Sequence, residues 1–316
     1  MRLLVVYNPN ARLAGRCSPK LLEEELRRLG ADVELVVSAE EEVAREATRQ
    51  ALSEGVGRVV VAGGDGTVSA AIDALAGTQV PLAVVPLGTG NVLAEEAGLR
   101  PGAWQAACRV AVEGREVVRI DLGKAGERYF ATMFGVGLDA QVVADISQLH
   151  KRNYGRWAFV RQLFVTSARY RMRQFFLEVD GQPIEAVGWV AIISNTPRYA
   201  WRMHFSPEAR ADDGLLDLCV FAPRTRARML IEGVATFVLQ RPALSSPLRA
   251  RVKRVRVQCD PEAWWQADGE LGGKTPVEVE VVPGALSIVV GDRRCRLARA
   301  SAERVHDANG QRGAAG

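Results

Sequence analysis

No run of apolar residues in the chain approaches the roughly 18 that a membrane-spanning helix needs, so contact with a bilayer has to be peripheral. Histidine is scarce. His150, His204 and His306 stand far from one another and from every cysteine, which leaves a metal-histidine centre or a histidine triad without support. The five cysteines, Cys17, Cys108, Cys219, Cys259 and Cys295, form no CxxC pair and read as reduced core thiols of a cytosolic protein. The N-terminal MRLLVVYNPN offers too short an apolar run for a signal sequence and reads as a first strand. Excess charge is small. A net +4 and a pI near 8.9 do not by themselves call for nucleic acid. What is present is an ordinary globular composition over 316 residues, enough for about two domains.

The chain is organised around RVVVAGGDGT (58–67), a β-branched run that stops at Gly63 and Gly64 and leads through Asp65, Gly66 and Thr67 into an apolar-periodic stretch. That predicts a buried strand, a tight glycine loop and a helix N-terminus whose free N–H groups suit an anion. An aspartate there would repel a phosphate unless a cation stood between them, which places Asp65 on the metal side of a phosphate-plus-magnesium loop. The plainer alternative makes Asp65 a helix N-cap. Around this loop the first 120 residues alternate strand and helix: LLVVY (3–7), a helix opened by Ser18 and Pro19, a strand at 33–37, a helix with Ser38 and Glu41 spaced as a capping box, then LAVVP (82–86) and a second glycine turn, PLGTGN (86–91). Such alternation predicts a parallel sheet with ligands at the carboxyl ends of its strands.

Beyond residue 120 helical pattern becomes scarce. Strand-like runs are expected at 129–134, 175–180, 187–193, 215–221, 252–258, 277–282 and 286–290, with turns at Asp180-Gly181 and Pro283-Gly284, so the second domain is read as mainly antiparallel β. The division expected is 1–120, 121–300, with the last strand or tail free to return to the first domain, and a flexible tail at 301–316. Two motifs are set aside. GELGGKT (269–275) has its first glycine one residue too close for a P-loop, and FGVGLDA (134–140) lacks the acid expected about 20 residues after a dinucleotide fingerprint. Acids are absent from 151–177, which instead carries seven cations, including Arg161, Arg169, Arg171 and Arg173, among aromatics such as Phe164, Tyr170, Phe175 and Phe176. The mixture suits an anionic bilayer surface, or single-stranded nucleic acid, or a solvated basic face over core aromatics. RARVKRVRV (249–257) reads as a strand with charge outward and valine inward.

NPNAR (8–12), GGDGT and PLGTGN together resemble the catalytic domain shared by diacylglycerol kinases, sphingosine kinases and related bacterial lipid kinases. GGDGT alone is similar to NAD kinases and phosphofructokinases. The resemblance continues in RIDLG (119–123), FGVGLDAQVV (134–143), SPEARADDGLLDL (206–218) and QADGELGG (266–273). It implies an α/β domain with an NAD kinase/phosphofructokinase-like parallel sheet, a second domain forming an antiparallel β-sandwich, and transfer of the γ-phosphoryl of ATP to a lipid hydroxyl with magnesium. By the same resemblance the nucleotide is held by Asn8, Pro9, Asn10, Ala11 and Arg12, by Ser38, by Gly63, Gly64, Asp65, Gly66 and Thr67, and by Gly88, Thr89, Gly90 and Asn91. Asp65 would hold magnesium directly or through water, with Asp121 in the same network. Asp213 with the carbonyls of Arg210 and Leu215 would hold a structural magnesium. Asp268 and Glu270 match the element that carries the general base, and spacing does not separate them.

The resemblance makes the protein cytoplasmic and peripheral at the membrane, with a lipid substrate, no nucleic acid, and room for a homodimer. The chain departs from the family's usual residues at several points. Ala11 and Arg12 replace a Ser-Gly, Ser69 and Ala70 replace an Asn-Glu, Val92 and Leu93 follow PLGTGN where an acid and an aromatic are usual, and TPRYAWRMHF brings Arg198, Tyr199, Trp201 and Arg202 to a loop usually built of small residues. A soluble-substrate kinase and a catalytically weak nucleotide sensor are the rival readings.

Overall fold

The computed structural model describes residues 1–148, 156–198, 205–238, 248–291 and 295–297; the tail expected at 301–316, residues 151–155 of the basic stretch, and Tyr199, Trp201 and Arg202 lie outside them. The first half runs β1 (Arg2–Tyr7), α1 (Pro19–Arg28), β2 (Asp32–Val37), α2 (Glu41–Ser53), β3 (Arg58–Gly63), α3 (Asp65–Leu75), β4 (Leu82–Pro86), α4 (Val92–Glu96) and α5 (Trp104–Glu113). β3 and β4 are buried along their whole length, as befits parallel strands covered by helices on both faces. Ser18 Oγ accepts from Leu21 N–H at 3.3 Å to start α1, with Pro19 at the first helical position, and Leu22 and Leu26 enter the core. The capping box expected from Ser38 and Glu41 does not form. Ser38 Oγ accepts from Glu40 N–H at 3.0 Å, a local turn that spends the hydroxyl before the helix starts at Glu41 with Glu40 as its cap residue.

The second half holds β5 (Val117–Ala125), β6 (Arg128–Phe130), β7 (Met133–Gly137), α6 (Leu138–Gln148), α7 (Arg156–Arg169), β8 (Arg173–Val179), β9 (Gln182–Gly188), β10 (Val190–Ser194), β11 (Leu216–Phe221), α8 (Arg226–Val238), β12 (Leu248–Val252), β13 (Arg254–Asp260), β14 (Trp264–Ala267), β15 (Glu270–Lys274) and β16 (Val277–Val289). Three helices therefore stand where helical pattern had looked scarce. Two sheets organise the described residues. One has ten strands in the order β2-β1-β3-β4-β16-β13-β8-β9, with β5 on β16 and β6 on β5; the other has six, β12-β11-β10-β7-β14-β15, all antiparallel.

β16 is the seam. Its end lies parallel to β4 at Ile288 and Leu82, and its beginning pairs antiparallel with β13. The two strand runs expected at 277–282 and 286–290 are this single strand, and the expected Pro283-Gly284 turn is a register shift within it, between Val282 and Leu286. Asp121 accepts from Gly284 N–H at 2.7 Å, and Arg119 Nε donates to the Gly284 carbonyl at 3.0 Å, so the bulge is braced rather than looped out. Strands β12 and β13 alternate as their sequence demanded, with Val252, Val255 and Val257 fully buried between outward arginines.

Candidate functional site

The carboxyl ends of β1, β3 and β4 bring NPNAR, GGDGT and PLGTGN to one point. Asn8 Nδ2 donates to Thr67 Oγ1 at 2.9 Å, while Asn8 Oδ1 accepts from Asn10 N–H at 2.9 Å and turns the loop at 8–10. The two glycine turns touch. A Cβ on Gly88 would stand 2.4 Å from Gly64 Cα, and one on Gly63 would meet Thr67 Oγ1 at 2.9 Å. Asn91, left-handed at φ 53°, locks the second turn by donating from Nδ2 to the Gly88 carbonyl and accepting at Oδ1 from Gly88 N–H, at 2.8 and 2.9 Å. Between the loops lies a cavity of about 250 Å³ lined by Asn8, Asn10, Ala11 and Arg12, by Gly64, Gly66 and Thr67, and by Gly88 and Thr89. Ala39 and Glu41 line it too, and sequence reasoning missed both; Glu41 had been read only as part of a cap. Ser38 precedes them, with its hydroxyl turned to Glu40. Arg12 is exposed and has no ion pair among the described residues, and no side chain caps the N-terminus of α3. Free helix N–H groups and an unpaired guanidinium in a small cleft fit phosphate oxygens.

Asp65 occupies the first turn of α3, after Gly64 as cap residue. Its two oxygens accept from Asn91 N–H and Val92 N–H, both at 2.8 Å, so it caps the neighbouring helix α4. Loss of water outweighs those two donors and, with the negative charge of Asp268 nearby, pushes the Asp65 carboxyl up to about 6. Gly90 leaves room for this carboxylate: a Cβ there would fall 2.3 Å from Asp65 Oδ2.

From the six-stranded sheet, the β14–β15 hairpin delivers Asp268 and Glu270 to the same place. Asp268 and Gly269 form the turn of this hairpin, both left-handed, with φ 49° and 90°. Asp268 accepts from Ala131, Thr132 and Met133 N–H at 2.6, 3.0 and 2.9 Å and from the Thr132 hydroxyl. Burial still pushes its carboxyl upward against those four donors. Glu270 reaches the phosphate loop: a Cβ on Gly66 would lie 2.8 Å from Glu270 Oε1 and 3.0 Å from Glu41 Oε1. The hairpin itself is anchored by Gln266, which accepts from Gly269 N–H at 2.7 Å and donates to Asp139 at 3.0 Å. The near P-loop GELGGKT is strand β15, whose Gly272 lies flat under the Trp265 ring.

Asp121 and the 210–215 loop form a separate cluster. Asp121, buried, accepts from Gly214 N–H at 2.7 Å as well as from Gly284, and its own N–H donates to the Ala211 carbonyl. Asp213 accepts from Leu215 N–H at 3.2 Å and pairs with Arg251, while the Arg210 guanidinium pairs with Asp212. Asn195, fully buried and unforeseen, donates to the carbonyls of both Asp121 and Ala131 at 2.8 Å and so ties this cluster to the segment that holds Asp268. No group of three or more His, Cys, Asp or Glu side chains among the described residues is arranged to hold a metal alone. A cation at Asp213 has to share it with the Arg251 guanidinium.

Arg198 crosses from the end of β10 to α4. Its Nε lies 3.0 Å from Glu96 Oε1, a side chain with no solvent exposure, and its Nη1 pairs with Glu95. Removing one partner of a buried pair leaves the other charge desolvated. Arg198→Ala is expected to lower unfolding free energy by about 2 kcal/mol, read by urea denaturation, with Arg198→Ala/Glu96→Gln recovering part of the loss; equal stability of wild type and single variant would refute the pairing.

Residues 2–125 match the diacylglycerol kinase catalytic domain, and 132–290 match the YegS C-terminal NAD kinase beta sandwich-like domain. The chain is 33% identical over 270 residues to a diacylglycerol kinase of Mycobacterium tuberculosis, covering 84% of this chain and 86% of that one. It is 30% identical to a Pseudomonas putida protein named "probable lipid kinase YegS-like", over 84% and 87% of the two chains. The crystal structure of a diacylglycerol kinase from Bacillus anthracis shares the fold, at a TM-score of 0.68 and 20% identity, over 92% of this chain and 96% of that one. The chain thus belongs to the family of diacylglycerol kinases and YegS-like lipid kinases.

Proposed function

We propose that the protein is an ATP- and magnesium-dependent lipid kinase that phosphorylates the hydroxyl of a diacylglycerol-like or sphingoid acceptor. The observation that carries this reading is the meeting of two glycine turns with the Asp268–Glu270 hairpin from the other sheet. Phosphoryl transfer is mostly positioning and charge neutralisation, and a hydroxyl acceptor must also lose a proton. The N–H groups at the start of α3, with Asn8, Thr67, Thr89 and Arg12, take the ATP phosphates. Glu270 and Glu41 face that helix N-terminus, where a carboxylate beside phosphate needs a cation between them, so these two, with Asp65, would hold the magnesium. Magnesium, when bound, would neutralise charge on the transferred phosphoryl group. Asp268, fixed by four donors and raised in basicity by burial, accepts the hydroxyl proton. Membrane contact falls to α7 and α8, where Phe164 and Ile231 are 44% and 68% exposed and Arg161 and Arg169 are exposed on α7. No helix among the described residues is long and apolar enough to cross a membrane.

The direct test incubates the protein with radiolabelled ATP, magnesium and a total lipid extract in mixed micelles, with Asp65→Asn alongside. A labelled lipid made by wild type alone is the expected result and identifies the acceptor. No labelled lipid despite measurable ATP binding would sink the reading.

The titration of Asp65 adds a pH prediction. As pH falls through about 6 the carboxyl protonates and loses its hold on Asn91 and Val92 N–H. kcat/KM for ATP, which reports the enzyme before nucleotide and magnesium bind, is expected to fall roughly tenfold between pH 7 and pH 5. Unfolding is not the cause. A folded pKa above the ordinary carboxylate value means that this group makes the fold more stable as pH falls from about 6 toward 3.8, and less stable above 6. Circular dichroism at pH 5 checks that the fold persists while kcat/KM drops; a flat kcat/KM profile across this range contradicts the assignment.

A further inference from the structure

Away from the glycine loops, α6, α7 and the start of β8 enclose an open cavity of about 860 Å³ that the proposed chemistry does not use. Arg161, Arg169 and Arg171 line it, all three exposed and none in an ion pair among the described residues. The one carboxylate in the lining, Asp145, is already engaged: Gln141 Nε2 donates to it at 2.8 Å, Thr166 Oγ1 at 2.5 Å and Gln162 Nε2 at 3.4 Å. Its charge is therefore held by neutral donors on the cavity floor and is not spent on the arginines. A fourth cation, Arg173, is fixed by the Tyr170 hydroxyl at 3.3 Å and stacks 5.1 Å over that ring. Val165, Met172 and Pro261 add an aliphatic side to the same lining. Unpaired guanidiniums present fork geometry that matches phosphate, and three of them outweigh a dianion.

The cavity is separate from the transfer centre. Tyr170 sits against Gly137, its hydroxyl 3.4 Å from where a Cβ on that glycine would stand, whereas Asp268 N–H donates to the carbonyl of Met133 at 2.9 Å. Those residues are the two ends of β7, about 13 Å apart along the strand.

We propose that this cavity binds a phosphate monoester dianion, the headgroup of a phosphorylated lipid, at a second place from the nucleotide loops. The neutral acceptor lacks that group and the product carries it, so the site distinguishes product from acceptor. That link to product rests on the lipid kinase reading; the binding itself does not. The test is isothermal titration of the full chain with dihexanoyl phosphatidate, dihexanoylglycerol and inorganic phosphate, for wild type, Arg169→Gln/Arg171→Gln, Arg161→Gln and Arg12→Gln. Dihexanoyl phosphatidate is expected to bind wild type and Arg12→Gln alike, at least tenfold more weakly to the double variant, and measurably more weakly to Arg161→Gln, which covers the case in which the double variant fails to fold. Dihexanoylglycerol is expected not to bind. Inorganic phosphate binding as tightly as dihexanoyl phosphatidate would make free phosphate the ligand source and overturn the headgroup assignment. Undiminished binding by the folded cavity variants, loss of binding in Arg12→Gln, or no binding of either anion by wild type would overturn the site. Failure of the kinase reading shows in the labelled-lipid assay instead and leaves this titration unchanged.

Discussion

Asp268→Asn is expected to lower kcat about 10³-fold, close to 4 kcal/mol of transition-state stabilisation, while ATP affinity changes less than threefold. The asymmetry follows from where the side chain points. Its oxygens take N–H groups of Ala131, Thr132 and Met133 and the Thr132 hydroxyl, all between the end of β6 and the first residue of β7, and none of the glycine loops. An amide keeps the shape but turns one acceptor into a donor facing those N–H groups, at a cost of about 1–2 kcal/mol of stability. On the proposed reading it also removes the group that takes the hydroxyl proton. Glu270→Gln acts differently because Glu270 faces Gly66 at the start of α3, and its loss is expected to raise the ATP and magnesium concentrations needed for half-maximal rate more than it lowers kcat. Initial rates at varied ATP and magnesium for both variants check the division. An Asp268→Asn enzyme within tenfold of wild-type kcat would remove Asp268 from the proton step and move it to Glu270.

Much of this site was legible because its parts are local. A valine run ending in two glycines, and a Pro-Leu-Gly turn after another buried strand, each fix a loop by backbone requirements that few other residues meet. The cap alternative for Asp65 holds in altered form: it caps α4 rather than its own helix, a contact between residues 26 apart that no local spacing reveals. The same holds for Asp268, whose partners lie some 136 residues earlier. Helix α6 escaped notice because Ala140, Val142 and Ala144 are buried on a helix without a clear polar stripe, and its first turn continues a strand that itself reads Phe-Gly-Val-Gly. Ser38 misled because a hydroxyl followed by acids satisfies a cap pattern equally well when the hydroxyl closes a turn one step earlier. Asn195 gave no signal at all, since a buried amide bridging two carbonyls looks in sequence like any polar residue after a strand.

Gly88→Ala is the variant expected to separate assembled from unassembled loops most sharply. The added methyl carbon would stand 2.4 Å from Gly64 Cα, 3.0 Å from Asn91 Oδ1 and 3.3 Å from Gly64 N, so backbone meets backbone and no flexible side-chain end can swing away. The two turns must part by about 1 Å to reach ordinary contact, and a displacement of that size among positioning groups costs about 10²-fold in rate. kcat/KM for ATP is expected to fall by that factor, with about 1–3 kcal/mol lost from folding stability. Gly64→Ala, whose methyl carbon meets only Gly88 Cα at 3.3 Å, should fall between Gly88→Ala and wild type, and Gly15→Ala, with nothing within 4 Å, should match wild type in both measurements. Because Gly88 is held by Asn91 and Asn91 by Asp65, opening the contact also disturbs the carboxylate that caps α4. The loss in ATP affinity and the loss in stability should therefore appear together in Gly88→Ala. A variant that keeps wild-type kcat/KM at reduced stability would show that the two glycine turns pack against each other without jointly holding the nucleotide.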